Sequence, residues 1–426
     1  GSLIPAVASD YEISEDAKTY TFTLRDGITF HDGTPVTAED VKYSIDRCAE
    51  ANQGSAFSML SEVAVKDEKT IEVKLNESYS EFLADLSQAY IIPAANEDPA
   101  GHPIGTGPFQ FVSYTPGQSV VLAKYDGYWQ EGLPYLDEVT FKITADVDTA
   151  FMELQAGTID ILKYLNSAQV QTLNDSFRVE NGSMNLVQAM FLNNAYEPLS
   201  KKEVRQALCY AVDRDAINQF LFGGKSHLIG SHMIPNMAVY YEPEAEKVYS
   251  YDPAKAKELL TEAGYPDGFD LEITVPSSYS QHVDTAQIIV EELSQIGVNA
   301  TINQVEWSTW LSDVYTDGKF EATVIGFDGT LAPNDWLMKY TTDNKKNFMH
   351  YSNPEYDETF TRAYTTVDAA EKEALYKEAQ MILAEDAAAV YIQDPANFVA
   401  VNKRLGGYTF YPTAGDDMSL VYEIGE

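Results

Sequence analysis

The sequence predicts an α/β protein of two or three domains, and three observations carry that expectation. At 426 residues the chain is longer than one core of ordinary size requires. Apolar residues make up 45% and charged residues 22%, a globular rather than a disordered composition. From Phe269 onward, segments with the period of a strand alternate with segments of helical period, the order that implies a largely parallel sheet covered by helices.

Taken in order, Thr19 to Leu24 alternates β-branched or aromatic residues and predicts a half-buried strand. Arg25-Asp26-Gly27 breaks it, and Ile28 to His31 leads into a second turn at Asp32-Gly33, which reads as a hairpin. Thr37 with Asp40 has the spacing of a capping box, and Val41, Ile45 and Cys48 then mark one apolar helix face. Strands are expected at Thr70 to Leu75, Phe109 to Tyr114 and Ser119 to Tyr125. Val139 to Ile143, a helix Asp148 to Ala156 ended by Gly157, and Ile159 to Leu162 read as a βαβ unit. After a strand at Met190 to Asn193, Ser200 and Glu203 have capping-box spacing ahead of a helix Val204 to Phe220. Asp252-Pro253 starts a helix that Gly264 closes. Strands at Phe269 to Val275, Asn299 to Val305 and Ala322 to Phe327 enclose helices at Asp284 to Gln295 and Trp307 to Tyr315. Two long helices, Pro354 to Tyr364 and Ala369 to Asp386, precede a last strand at Ala388 to Gln393.

Charge narrows the function. Asp and Glu number 66 against 28 Lys and Arg, a net −38, and no basic run exists to neutralise phosphates. Nucleic acid and anionic membranes are therefore poor partners, and the repulsion favours a monomer. No segment reaches the roughly 18 apolar residues of a membrane span. Gly1-Ser2 reads as a cloning remnant. Cys48 and Cys209 read as two buried thiols, with a disulfide as the alternative.

Motifs for chemistry fail individually. Gly224-Lys225-Ser226 resembles the end of a phosphate loop, but Gln219 stands where the first glycine belongs. Gly105 and Gly107 begin a dinucleotide fingerprint that Gln110 ends. None of the six histidines pair at helical i, i+4 spacing, so neither a metal nor a cofactor is expected, and no catalytic residue is nominated. What stands out instead is 28 tyrosines against 19 phenylalanines, many in segments that read as loops or strand ends. Tyr and Trp combine a large apolar face with a polar tip, which suits a binding surface.

Several segments together are similar to the family 5 solute-binding proteins of ATP-driven (ABC) importers, which bind oligopeptides, dipeptides or nickel. They are Ala8 to Ser14 running into Tyr20 to Gly27, Phe30 to Val41, Gly105 to Phe109, Tyr128-Trp129, Pro134 to Asp137, Leu154 to Asp160, Val204 to Leu208 with Ala211 to Arg214, and Tyr351 to Asp357. The resemblance spans essentially the whole chain. It implies a periplasmic-binding-protein-like fold (type II, cluster C): two hinged α/β lobes, with a subdomain inserted in the first, that close on a ligand held between them. Carried onto this chain, residues 3–104 are the inserted subdomain, residues 105–189 with 403–426 the first lobe, and residues 190–402 the second. The crossovers then fall near 190–194 and 398–402, and an opening strand of the first lobe would precede Leu3.

The resemblance further implies a non-catalytic protein of the periplasm or the outer face of the cell membrane, lipid-anchored in the latter case, that passes a peptide to a membrane permease. Peptide binders of the family hold the peptide amine with an aspartate in a Gly-Trp-x-x-Asp-Tyr segment. Here Gly326 to Pro333 corresponds, with Phe327 replacing Trp and Asp328 as the nearest acid. Candidate ligand residues are Asn194, Phe327, Asp328, Asn334 and Trp336, with Trp307 and Trp310 as apolar walls and Tyr164 from the first lobe. The i, i+3 spacing of Trp307 and Trp310 equally fits core packing on a helix. The altered amine anchor keeps an oligosaccharide ligand open, and a secreted hydrolase is the alternative of another class.

Overall fold

The computed structural model describes residues 3–51, 56–79, 81–144, 147–412 and 415–425. The chain forms two compact units, Gly1–Asn181 with Phe398–Glu426, and Gly182–Asn397. It passes between them twice, after Asn181 and after Asn397.

The first unit opens with a four-stranded antiparallel sheet in the order Ala8–Ile13, Thr19–Leu24, Thr70–Leu75, Leu60–Val65. Alternation works as expected: Tyr20, Phe22 and Leu24 are buried, as are Ile71, Val73 and Leu75 on the paired strand. The helix Ala38–Ala51 buries Val41 and Ile45. At its start the Thr37 hydroxyl accepts the Asp40 N–H at 3.2 Å, and the Asp40 carboxylate accepts the Thr37 N–H at 3.0 Å, so two otherwise orphaned donors are satisfied. The hairpin expected over residues 25–33 shrinks to one bridge, Thr29 opposite Pro35, because proline has no N–H with which to extend a ladder.

His31 ties that segment to the glycines at 105 and 107. Its Nδ1 accepts the Gly105 N–H at 3.2 Å, which leaves Nε2 as the donor to Gly107 O at 3.1 Å. The apparent dinucleotide fingerprint is thus a structural joint.

The expected βαβ unit is not one. The strand Glu138–Lys142 pairs with Ser119–Lys124, and that strand with Phe109–Thr115, in an antiparallel three-stranded sheet. The strand Ile161–Leu165 instead joins Ala396–Asn402 and Phe177–Ser183 in another sheet. Periodicity named the elements but not their partners.

The second unit is built on a six-stranded sheet, in the order His227–Leu228, Ala389–Asp394, Val187–Leu192, Ala322–Phe327, Asp270–Pro276, Asn299–Val305. It is mixed rather than largely parallel: Asp270–Pro276 runs parallel to both neighbours, and the other three pairings are antiparallel. Both faces are covered, so Val187–Leu192 is buried at every position. Val187, Ala189 and Phe191 enter one core with residues of the helices Pro354–Thr365 and Ala369–Glu385. Met190 and Leu192 enter the other, with residues of Lys202–Ala211, Pro253–Glu262 and Ser280–Ser294.

Three further expectations are corrected here. The helix foreseen from Val204 to Phe220 is two, Lys202–Ala211 and Arg214–Phe222, the second capped by Asp213, whose side chain accepts the Ala216 N–H at 2.9 Å. Ser200 does not cap the first: it ends the short helix Glu197–Ser200 and donates to Glu197 O at 2.8 Å. Of the two cysteines, expected as two buried thiols, Cys209 is buried but Cys48 is only half-buried near the end of its helix.

Candidate ligand-binding site

The strand Ala322–Phe327 is buried over its first four residues and emerges at Gly326 and Phe327. The chain then turns through residues 328–332 into the helix Pro333–Leu337, which has proline at a position where no N–H is needed. This turn is tightly held. Asp335 accepts the Thr330 N–H at 2.9 Å, Thr330 Oγ1 accepts the Ala332 N–H at 3.2 Å, and Trp336 Nε1 donates to Thr330 O at 2.9 Å. Gly329 lets the turn lie on the indole, since a β-carbon there would sit 2.7 Å from Trp336 Cε2.

Phe327 is half-buried in a group of rings. Phe191 meets it nearly perpendicular at 5.1 Å between centroids, Phe348 lies at 5.6 Å, Tyr315 at 6.0 Å, His232 at 6.1 Å and Trp310 at 6.2 Å. Trp310 is buried, donates to Thr323 Oγ1 at 3.0 Å and stacks at 5.2 Å and 4° on Trp307, which is 37% exposed. Both candidate readings of the tryptophan pair therefore have a place: Trp310 is core and Trp307 presents a face to solvent. They sit where the helical turn Trp307–Thr309 continues into a wider π-turn, Trp310–Thr316, rather than the regular helix expected.

Charge converges on the same ring. Lys339 Nζ lies 4.8 Å above the Phe327 face, and among the described residues it makes no hydrogen bond and has no carboxylate oxygen within 4.0 Å. Burial lowers its pKa to about 8, with Lys346 adding to the fall while Asp335 and Asp328 oppose it. Asp328 is exposed and accepts no hydrogen bond among the described residues. His232, fully buried, exchanges a hydrogen bond with the Tyr340 hydroxyl through Nδ1 at 3.0 Å, while its Nε2 has no partner among the described residues. Burial and the Lys339 charge hold its pKa well below the usual range, so it is neutral at pH 7.

Of the candidates named from sequence, Phe327, Trp307 and Trp310 share this ring group. Asp328 follows directly on Phe327, and His232 connects Trp336 to the group at 6.3 Å. Asn334 is buried in the same short helix as Trp336. Asn194 is committed elsewhere: its amide donates to Leu192 O at 2.9 Å and its N–H to Met349 O at 2.8 Å, tying a strand end to a loop. Tyr164 belongs to the first unit, where it is 53% exposed at a positive φ of 66°. An open hollow of about 980 Å³ in that unit, lined by His31, Tyr90, Phe109, Phe111 and Tyr114 among others, contains none of the candidates. Sequence reasoning missed Phe191, His232, Tyr315, Lys339 and Phe348, whose convergence is tertiary; the one local signal was the density of aromatics.

A family model described as bacterial extracellular solute-binding proteins, family 5 middle, matches residues 2–349. The glutathione-binding protein GsiB of Pectobacterium atrosepticum is 31% identical over 436 residues, covering 96% of this chain and 84% of GsiB. Among solved structures, the binding protein AgaA of A. tumefaciens R10 in complex with agropinic acid superposes with a TM-score of 0.84 at 30% identity, covering 99% of this chain and 90% of AgaA. A putative peptide-binding protein, AppA of Clostridium difficile, gives 0.89 at 25% identity, covering 100% and 92%. The α/β fold is that of the periplasmic binding proteins, and the chain belongs to the family 5 bacterial extracellular solute-binding proteins.

Proposed function

We propose that this protein is the solute-binding component of an ABC importer, which captures a peptide outside the cytoplasm and delivers it unchanged to the membrane permease. The observation that carries the reading is the second unit's half-buried Phe327, set among aromatic rings and followed by a carboxylate that accepts no hydrogen bond among the described residues. An aromatic floor takes up apolar side chains, and Asp328 takes the peptide ammonium in the role the family gives to an aspartate a few residues further on. Trp307 supplies an exposed wall, with Asn334 and Trp336 shaping the turn behind it. The similarity to a glutathione-binding protein and a putative peptide-binding protein supports a peptide.

No described helix is long and apolar enough to cross a membrane. The protein's place is the periplasm or the outer face of the cell membrane, held there by a lipid anchor in the latter case. With the net charge of −38, we propose that the protein acts as a monomer. An oligosaccharide is the second reading, favoured by the exposed Trp307 face stacked on Trp310.

Native mass spectrometry of whatever co-purifies, followed by thermal shift against peptide and glycan panels, tests the proposal. A ligand that binds only the folded chain raises the melting temperature, by the equivalent of about 2.7 kcal/mol at a hundred times its Kd. A peptide should do so and be recovered intact after prolonged incubation. Stabilisation by glycans alone would sink the peptide assignment, and conversion of the ligand would indicate a hydrolase.

A further inference from the structure

We propose that Lys339 is the anchor for a ligand carboxylate, so that Asp328 and Lys339 together receive a free amino-acid head group, an α-ammonium and an α-carboxylate on one carbon. The inference rests on the peptide reading above and narrows it to peptides joined through a side-chain carboxyl, as in a γ-glutamyl linkage.

Two opposite charges beside Phe327 stand unpaired among the described residues. Lys339 has the face of Phe327 at 4.8 Å, and Asp328 is the residue after that phenylalanine. Each affects its surroundings, since Asp328 is among the groups that hold the Lys339 charge in place, yet no oxygen of Asp328 lies within 4.0 Å of the ammonium. A surface lysine without a partner is ordinary. This one is half-buried among Phe327, His232 and their neighbours, where a charge is costly unless something compensates it. His232 cannot, because it is neutral and engaged with Tyr340 on one side; Lys346 adds like charge; and Asp335, which favours the ammonium from a distance, accepts the Thr330 N–H and has no oxygen within 4.0 Å of Lys339 Nζ. The missing partner is an anion brought by the ligand.

Ligand chemistry then follows from the pair. The terminus of an α-linked peptide carries an ammonium with no carboxylate beside it, so on binding Asp328 it would be drawn towards the Lys339 charge and repelled by it. A γ-linked terminus carries both groups and answers both residues, each through a charge-assisted hydrogen bond. The same two residues reject a neutral sugar, which would leave them unpaired.

The test uses isothermal titration of the full chain with glutathione, with the α-linked tripeptide Glu-Cys-Gly, and with glutathione amidated at its glutamyl α-carboxyl. Glutathione should bind about 10- to 100-fold tighter than either of the others, the range expected for one hydrogen bond to a charged group. Lys339→Gln should abolish that preference, weakening glutathione while the α-linked peptide, relieved of the Lys339 repulsion, binds more tightly than to the native chain. Titrations near pH 8 in buffers of different ionisation enthalpy should show greater proton uptake on glutathione binding in the native chain than in Lys339→Gln. If the variant fails to fold by circular dichroism, the comparison of the three ligands on the native chain still decides. Equal or tighter binding of the α-linked peptide overturns the inference while leaving peptide capture standing. Failure of the folded native chain to bind any of the three overturns both.

Discussion

Asp394 offers a test of the second unit's energetics that is independent of any ligand. It ends the strand Ala389–Asp394, is fully buried, and accepts the Ser183 hydroxyl and, at 3.1 Å, the Leu186 N–H. Burial raises its pKa from 3.8 to about 6; the hydrogen bonds from Ser183 and Leu186 and the nearby His227 hold it below what burial alone would give. A carboxyl that is a weaker acid in the folded state binds its proton more tightly there, so stability falls as pH rises through the window from 3.8 to about 6 and is level above it. At about 1.36 kcal/mol per pH unit, the full window corresponds to about 3 kcal/mol. Asp394→Asn keeps an acceptor oxygen and removes the titration. Urea unfolding of both chains between pH 5.0 and 7.5 should show the native chain losing about 1.4 kcal/mol relative to the variant. Parallel pH profiles for the two chains would mean that Asp394 ionises as an ordinary exposed carboxylate, and the burial argument would be wrong.

Three other outcomes follow from the same packing. Phe191→Ala removes the ring against which Phe327 and Phe348 pack and should destabilise the protein by about 3–5 kcal/mol in denaturant melts; a change below about 1 kcal/mol would show that the aromatic group is loose. Gly329→Ala places a methyl 2.7 Å from the Trp336 ring, so the indole or the turn must move, costing about 1–3 kcal/mol and shifting tryptophan emission; an unchanged spectrum and stability would refute that packing. Cys209, fully buried with its thiol pushed up to about 12, should resist a disulfide reagent in the native protein while Cys48 reacts slowly, and both should react in denaturant; rapid native reaction of Cys209, separated by peptide mapping, would contradict its burial.

Where residue chemistry is decided within a few positions, the sequence is a good guide. Thr19–Leu24, Thr70–Leu75 and Asn299–Val305 form strands at the bounds read from their residues, as does the continuous apolar run Ala322–Phe327, and Thr37 with Asp40 and Asp252 with Pro253 open helices as their side chains require. Capping spacing without tertiary context misleads at Ser200, because a preceding helical turn offers its hydroxyl a nearer carbonyl. Pairing is less legible still. Glu138–Lys142 and Ile161–Leu165 flank a helix just as a βαβ unit would, yet each finds its hydrogen bonds in a different sheet.

The candidate site divides along the same physical line. Phe327 and Asp328 can be named because they stand where a family segment places recognition residues, a one-dimensional signal. Lys339 cannot: between Met338 and Tyr340 it reads as one more solvated lysine, and what makes it chemically distinct is a ring twelve positions earlier and a neutral histidine more than a hundred positions away. Its charge becomes informative only when the fold withdraws water from it without supplying a counter-ion. A site whose function is to receive a counter-ion from a ligand is therefore the kind that sequence conceals, since its defining property is an absence of pairing among residues that are each ordinary alone.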